Sequence, residues 1–457
     1  MWGNRTVKLY LDILSRQWLR IVTIIVAAIL AVLVIGFVEK PAEAASSTAV
    51  EAERMDGAGK VFRDRSASRN KGRVFLKRRS AAKTFRGSIA RIYIRAKADR
   101  CKGSPRMKVM VDGRRVMVTR VKNTKRWRYY KKAVRRPAGK HRVRVKFTND
   151  RKTRRCDRNL RVDKLIVKRQ PRPVALGVMV DGGSASGIDR YTKLVGRAPS
   201  HVMFFRNWEH DEFPTDNLNE VVSRGAMPIV TWVPKDPSKG VNQPEYSLST
   251  IVAGKHDAYI RRWAKGAASW DQPFYMRPMH EMNGTWSPWA VGVNGNSPTD
   301  YIRAWRRIYN IFESEGASNV RWVWSPNAGG RKFTDLYPGD AYVDWVALDG
   351  YNFGNSKSHT DWRSMREVFG SHYRTLAGMT RKPMMIAETS SAESGGSKAD
   401  WIRNSLFKTI PNKFPRVKAV TWFNKDKETD WRVNSSSKAL DAYRKVATSG
   451  LYKNRLR

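Results

Sequence analysis

Eight short apolar runs dominate the C-terminal two-thirds of the chain: Ala175–Val180, Val202–Phe205, Met227–Trp232, Phe274–Arg277, Val320–Trp324, Val343–Leu348, Pro383–Ala387 and Ala419–Phe423. Each is strand-length, and helical periodicity fills the gaps between them. The clearest helix places Tyr301, Ile302, Trp305, Ile308, Tyr309 and Phe312 at spacings of three and four, behind the cap signals Ser297-Pro298 and Asp300. Strict alternation of strand and helix makes a parallel sheet with helices outside it. Eight such units in about 280 residues are the size of a single (β/α)8 TIM barrel, the fold expected for residues 173–457.

Upstream the rhythm has a period of two. Ile92, Ile94 and Ala96, then Met107, Val109 and Val111, then Val143, Val145 and Phe147 alternate with basic residues, and Asp112-Gly113 and Pro137-Ala138-Gly139 supply turns. Antiparallel strands in a small β-sandwich are predicted for residues 72–172. Residues 45–71 are small, polar and without sustained periodicity, and read as a linker. Residues 1–44 read as a signal peptide or signal anchor helix. A basic lead (Arg5, Lys8, Arg16, Arg20) precedes the unbroken apolar run from Ile21 to Val38, and Ala42-Glu43-Ala44 resembles a cleavage site. Cleavage would secrete the protein, whereas retention would hold it to a membrane through residues 21–38. Both place the bulk outside the cytoplasm, in the extracellular space or at the cell surface.

The 457 residues carry a formal net charge of +48, from 88 Lys and Arg against 40 Asp and Glu. Between Lys60 and Arg172, about 43 basic residues face about 6 acidic ones, so most of the excess lies in the sandwich. Such a field selects anionic partners, and a phosphate- or uronate-bearing wall or surface polymer is the expected one. No nucleic-acid motif accompanies the charge, so no specific nucleic acid is expected. The only cysteines, Cys101 and Cys156, form an even pair in an exported chain and are expected to be a disulfide.

Two glutamates end apolar runs. Glu281 follows the fourth run through Pro278-Met279-His280, and Glu388 follows the seventh. In a barrel these strand ends converge on one face, where two carboxyl groups about 5–5.5 Å apart could cleave a glycosidic bond with retention. One would protonate the leaving oxygen and the other would attack the anomeric carbon. Arg277-Pro278-Met279-His280-Glu281-Met282-Asn283-Gly284, followed by Trp286 and Trp289, resembles the acid/base motif of glycoside hydrolase family 26, and Ile386-Ala387-Glu388-Thr389-Ser390 resembles its nucleophile motif. The resemblance spans roughly Ala175 to Ala447. It implies Glu281 as acid/base and Glu388 as nucleophile, His280 beside the acid/base and Tyr351 bonded to the nucleophile. It further implies Trp422 as the platform under the cleaved sugar, and Trp286 and Trp289 on the leaving-group side. Trp232, closing the third strand, is a further substrate-binding candidate. No cofactor is expected for catalysis.

The segment from Cys101-Lys102-Gly103-Ser104-Pro105 to Asp157-Arg158-Asn159-Leu160-Arg161-Val162-Asp163, with Phe147-Thr148-Asn149-Asp150 between, resembles the calcium-dependent xylan-binding carbohydrate-binding modules. The resemblance implies calcium, with Asp99, Asp150 and Asp157 as candidate ligands, oxygen donors of the kind this hard cation takes. The leading expectation is an endo-acting β-mannan hydrolase, with β-1,3- or β-1,4-glucan and xylan as alternative substrates. A non-catalytic envelope protein binding anionic polymer is the reading from a different class.

Overall fold

The computed structural model describes residues 47–137, 139–169, 173–209, 212–453 and 455–456. The expected signal segment 1–44, with its apolar run, lies outside them. Among the described residues no helix is long and apolar enough to cross a membrane.

The N-terminal part is two antiparallel sheets. Its strands are β1 (Ser47–Glu51), β2 (Asp56–Gly57), β3 (Lys60–Arg63), β4 (Lys71–Phe75), β5 (Ser80–Arg86), β6 (Ile89–Asp99), β7 (Arg106–Val111), β8 (Arg114–Arg120), β9 (Arg128–Arg136), β10 (Lys140–Phe147), β11 (Arg151–Lys152) and β12 (Asp157–Lys168). One sheet runs β3-β4-β12-β6-β9, with β1 and β11 also paired to β12; the other runs β2-β5-β10-β7-β8. Inward residues at alternate positions, among them Ile92, Ile94, Val109, Val111, Val143, Val145 and Leu165, form one core. That is the packing the period of two requires.

Residues 45–71 are not a linker. From Ser47 onward they supply β1, β2 and β3, which pair into both sheets. The reason is a buried arginine on β4. Arg73 donates Nε to Ala52 O at 2.9 Å, and its terminal nitrogens to Gly57 O at 2.6 Å, Met55 O at 2.9 Å and Glu53 O at 3.1 Å. One guanidinium thus satisfies four carbonyls of an irregular segment, which needs no apolar periodicity to stay folded. Cys101 and Cys156 are bonded, with Cα atoms 5.3 Å apart.

From Val174 the chain forms β13 (Val174–Met179), β14 (His201–Asn207), β15 (Met227–Val233), β16 (Phe274–Pro278), β17 (Val320–Trp324), β18 (Trp345–Asp349), β19 (Met384–Thr389) and β20 (Val417–Trp422). Each pairs in parallel with the next. β13 pairs with both β20 and β14, which closes an eight-stranded barrel, and the short β21 (Tyr452–Lys453) adds to β13. The helix Pro298–Ser314 begins with the capping box expected from Ser297 and Asp300, and it buries Tyr301, Trp305, Ile308 and Phe312.

Alternation along the strands sorts the barrel's apolar side chains into two cores. Inside lie residues such as Ala175, Met203, Ile229, Tyr275, Ala347, Met385, Ala419 and Phe423. Between strands and helices lie Val178, Phe204, Trp232, Ile386, Val420 and Trp422. Gly177 shows how tightly the interior fills: a Cβ there would stand 2.2 Å from the His201 ring. That ring donates or accepts at Thr421 Oγ1, 2.9 Å away, so it bridges over Gly177 between the two strands that flank β13.

Candidate active site

The C-terminal strand ends open on a cavity of about 850 Å³, lined among others by His280, Glu281, Trp286, Trp289, Asn327, Tyr351, Glu388, Phe423 and Trp431. The glutamates of the fourth and seventh strands therefore share one cleft, as barrel geometry demands of residues just beyond strand ends.

Glu281 sits just past β16 in a left-handed backbone conformation, φ 53°, close behind Met279 at φ 46°. Such angles are costly for residues with a Cβ and persist where the surroundings fix them. Here the Glu281 N–H donates to Ser325 O at 2.8 Å. Its carboxyl accepts from Asn327 Nδ2 and from Trp286 Nε1, each at 2.7 Å. Asn327 is itself fixed by Asn283, whose Oδ1 accepts the Asn327 N–H and whose Nδ2 donates to the Asn327 and Arg331 carbonyls. Gly284 makes room for the Trp286 ring, which a Cβ would meet at 2.5 Å. Burial, and then the Glu388 charge, push the Glu281 pKa up to about 7 against these two hydrogen bonds.

Glu388, near the end of β19, has a different environment. Arg277 on β16 donates to its Oε1, and the Tyr351 hydroxyl donates to its Oε2. Arg277 is fully buried and its other terminal nitrogen lies 2.8 Å from Asp349 Oδ2, while its Nε donates to Thr231 Oγ1 at 3.0 Å. Ser325 Oγ also donates to Asp349. A permanent cation and a hydroxyl donor, one on each oxygen, fix the orientation of the Glu388 carboxyl. A buried carboxyl facing another carboxylate is biased toward its acid form. The site thus separates the roles of two chemically identical side chains.

His280 lines the cavity between the Phe205 and Trp289 rings, 5.7 and 5.6 Å away by centroid. Burial and the nearby Arg277, Lys235 and Lys427 hold its pKa well below the ordinary value, so the imidazole is neutral. Trp289 is buried and donates Nε1 to His280 O at 2.7 Å, whereas Trp286 is 49% exposed at the rim.

Two expected substrate contacts are not in the cleft. Trp422 lies in the outer core, against Trp401 and Tyr443, with Nε1 donated to Trp431 O at 2.8 Å. Its neighbour Phe423 faces inward instead. The placement fails by one residue, which on a strand exchanges the two faces. Trp232 is likewise outward, packed on Trp208, Tyr259 and Trp263. The aromatic residues that do reach the cavity beside Tyr351 are Phe353, Phe423 and Trp431, with ring centroids 6.0, 5.7 and 4.9 Å from it. Asn327, two residues beyond Ser325 at the fifth strand's end, could have been found by asking which polar residues follow each strand. Trp431 lies in a loop without periodicity and gave no such signal.

In the sandwich, the expected calcium trio does not converge. Among the described residues no group of three or more His, Cys, Asp or Glu stands close enough to hold a metal. Asp99 is taken by Arg161, whose Nε lies 2.8 and 2.9 Å from its two oxygens. Oxygen donors suited to calcium nevertheless remain at this end of the sheet. Asn159 is buried and its Oδ1 has no hydrogen-bond partner, and the carboxylates of Asp150 and Asp157 make no bond among the described residues. Asp157 and Asn159 alternate on β12 and so share a face. These residues fit a hard cation; Asp99 faces Asn159 across the ladder, but both its oxygens are engaged by Arg161.

A closed (β/α)8 barrel with a carboxylate-lined cleft at its C-terminal face is the architecture of a barrel enzyme. Residues 237–439 match the model of glycosyl hydrolase family 26, and residues 91–173 match that of the Ca-dependent xylan-binding carbohydrate-binding modules. The chain carries a glycosyl hydrolase family 26 domain with such a module N-terminal to it. It is 39% identical over 275 residues to Endoglucanase H of Acetivibrio thermocellus, covering 58% of this chain and 29% of that protein. It is 35% identical over 173 residues to Mannan endo-1,4-beta-mannosidase A and B of Caldalkalibacillus mannanilyticus, covering 36% of this chain and 30% of that one. The chain thus spans under a third of the length of either relative. A modular endo-β-1,4-mannanase structure from Cellulomonas fimi aligns with a TM-score of 0.48 at 18% identity, covering 62% of this chain and 72% of that chain.

Proposed function

We propose that the barrel hydrolyses β-linked polysaccharide, with β-mannan the leading substrate, by double displacement with retention at the anomeric carbon. The observation that carries the proposal is the division between Glu281, lifted to about 7, and Glu388, bonded to Arg277 and Tyr351, on one cleft. In the first step the Glu281 proton passes to the glycosidic oxygen while a Glu388 oxygen attacks the anomeric carbon, and the alcohol leaves. In the second, the Glu281 carboxylate takes a proton from water, which attacks the same carbon and frees Glu388. Tyr351 and Arg277 hold the Glu388 oxygens in position through both steps. Phe423 and Trp431 offer apolar faces to the sugar, His280 and Trp289 shape the wall beside Glu281, and Trp286 lies on the leaving-group side.

A second reading, β-glucan as substrate, is favoured by the 39% identity to an endoglucanase. In the module, calcium would be held by Asp150, Asp157 and Asn159 Oδ1, where it would coordinate sugar hydroxyls directly. The sandwich is taken to end before residue 173 and the catalytic barrel to begin there, and the protein acts outside the cytoplasm on wall or surface glycan. The excess positive charge of the sandwich holds it on anionic polymer. Release of reducing ends from insoluble mannan, β-glucan and xylan by the full chain and by Glu388→Ala tests the reading. Activity on mannan that vanishes in the variant supports it. Equal activity in both chains rejects the assignment of Glu388.

A further inference from the structure

The second sheet of the sandwich carries a charge pattern that its fold does not need. Strands β5, β7, β8 and β10 contain eleven Lys or Arg and no Asp or Glu. Their inward positions, such as Val109, Val143 and Val145, are apolar and buried, so nine of the eleven cations stand on the outward face; Lys83 and Arg114 share the register of the inward residues Val143 and Val111, and Lys83 is paired with Asp56 on β2. In register, Lys146 faces Lys108, Arg106 faces Arg120, and Lys140 faces Arg86. Like charges directly opposite one another destabilise a sheet. No ion pair is made by the side chains of Lys108, Arg142, Arg144 or Lys146 among the described residues. In contrast, Asp99 and Asp163 on the other sheet are paired with Arg161 and Arg95. Like charges face one another between β6 and β12 too, but the pairs Lys97 with Arg161 and Arg95 with Lys164 are answered by Asp64, Asp99 and Asp163, and only Arg91 with Lys168 is not. On the second sheet the facing pairs have no such acids and are left for an external anion to relieve.

We propose that this outward face is a binding site for an acidic polysaccharide bearing uronate carboxylates. Cations repeat about 6.8 Å apart along β7 and β10 and face one another about 4.8 Å apart across strands, so a linear polyanion can lie on several at once. Arginine forks at Arg142, Arg144 and Arg106 suit bidentate pairing with carboxylates. The aromatic residues of these strands, Phe85 and Phe147, point into the core. Recognition here is therefore ionic, without the stacking platform that single-stranded nucleic acid uses. The choice of a polysaccharide over other polyanions rests on the glycan reading of the two domains. The face is on the opposite sheet from Asp150, Asp157 and Asn159, so it is separate from the proposed calcium site.

The test uses the full chain on immobilised polygalacturonate, with double-stranded DNA as the competing polyanion. Two variants of equal charge loss are compared: Lys108→Gln/Arg142→Gln/Arg144→Gln/Lys146→Gln on this face, and Arg91→Gln/Arg128→Gln/Lys131→Gln/Lys132→Gln on the other sheet. The expected result is retention of the wild type with an affinity that falls steeply with salt, at least tenfold weakening in the first variant and under threefold in the second. Because the first variant removes repulsion, its Tm should equal or exceed that of the wild type. The double variant Lys108→Gln/Lys146→Gln, which removes a single facing pair, should weaken binding severalfold on its own. Equal weakening by both quadruple variants would overturn the assignment of a defined face, and preference for DNA at matched salt would overturn the polyuronate class. Hydrolysis of neutral mannan should be the same in all these chains, so failure of the hydrolase reading would register separately.

Discussion

Arg277 donates to Glu388 from a side chain that is itself fully buried, and so ties the end of the fourth strand to the seventh. The same guanidinium is bonded to Asp349 at 2.8 Å, which leaves it one conformation. Arg277→Lys cannot serve both carboxylates, because an ammonium is a point donor rather than a planar fork. We expect kcat to fall at least tenfold. Arg277→Met leaves two buried carboxyl groups without their cation and should cost about 3–5 kcal/mol of stability. Denaturant titration alongside kinetics checks both.

Glu281, lifted from 4.5 to about 7, sets the alkaline side of the pH profile. As pH rises through about 7 the acid form needed for the first step is lost, so kcat/KM should decline with that apparent pKa. Asn327 favours the ionised form, and Asn327→Ala should move the decline to higher pH. The sign for stability is the reverse of an ordinary ion-paired carboxylate. The folded protein keeps a proton that the unfolded chain releases above about 4.5, so this group's contribution falls as pH rises from there to about 7, by about 3 kcal/mol in all. Glu281→Gln should flatten that part of the stability curve, measured by urea midpoints at pH 5 and pH 7.5.

The tryptophans should divide by face. Trp422→Ala opens a hole in the outer core and should lose about 3–5 kcal/mol while kcat changes less than twofold. Phe423→Ala, one residue on, should reduce kcat/KM in greater proportion than it lowers Tm. Trp286→Ala removes a half-exposed rim contact and a donor to Glu281; KM should rise most for long substrates. Michaelis kinetics on short and long oligosaccharides, with melting curves, distinguish the three.

The eight strands were legible because each is an apolar run bounded by helical periodicity, and all eight predicted runs start within two residues of the observed strand. The convergence of Glu281 and Glu388 followed from the barrel alone. What the sequence did not disclose is parity at a strand end: Trp422 and Phe423 are both large and aromatic, and in a parallel strand buried on both faces neither position carries a polar marker. Residues 47–63 were missed for another reason. Their order comes from Arg73 bonding to backbone carbonyls, an interaction that leaves no trace in side-chain pattern. The cation lattice on the second sheet was visible only as excess charge until the register showed which cations face each other.

Calcium should register on the stability of the full chain independently of catalysis. At a hundredfold excess over its dissociation constant, calcium bound only to the folded form adds about 2.7 kcal/mol. Asp150→Ala and Asp157→Ala should each remove the increase in the sandwich's melting transition, and Asp99→Ala should not, because Asp99 is engaged by Arg161. A transition insensitive to both calcium and chelator would remove Asp150 and Asp157 from the metal assignment.

Retention requires Glu388 to form a covalent bond to the sugar, and a slow-turnover substrate traps that bond. The full chain is incubated with an activated 2-deoxy-2-fluoro β-mannoside or β-glucoside, digested and sequenced by mass spectrometry. The fluorine slows both steps, and the activated leaving group restores the first, so the intermediate accumulates. The expected result is one glycosyl unit per protein, ester-linked at Glu388, together with loss of activity that returns as the label hydrolyses. A label on Glu281 or Asp349, or steady turnover with inversion and no label, would contradict it.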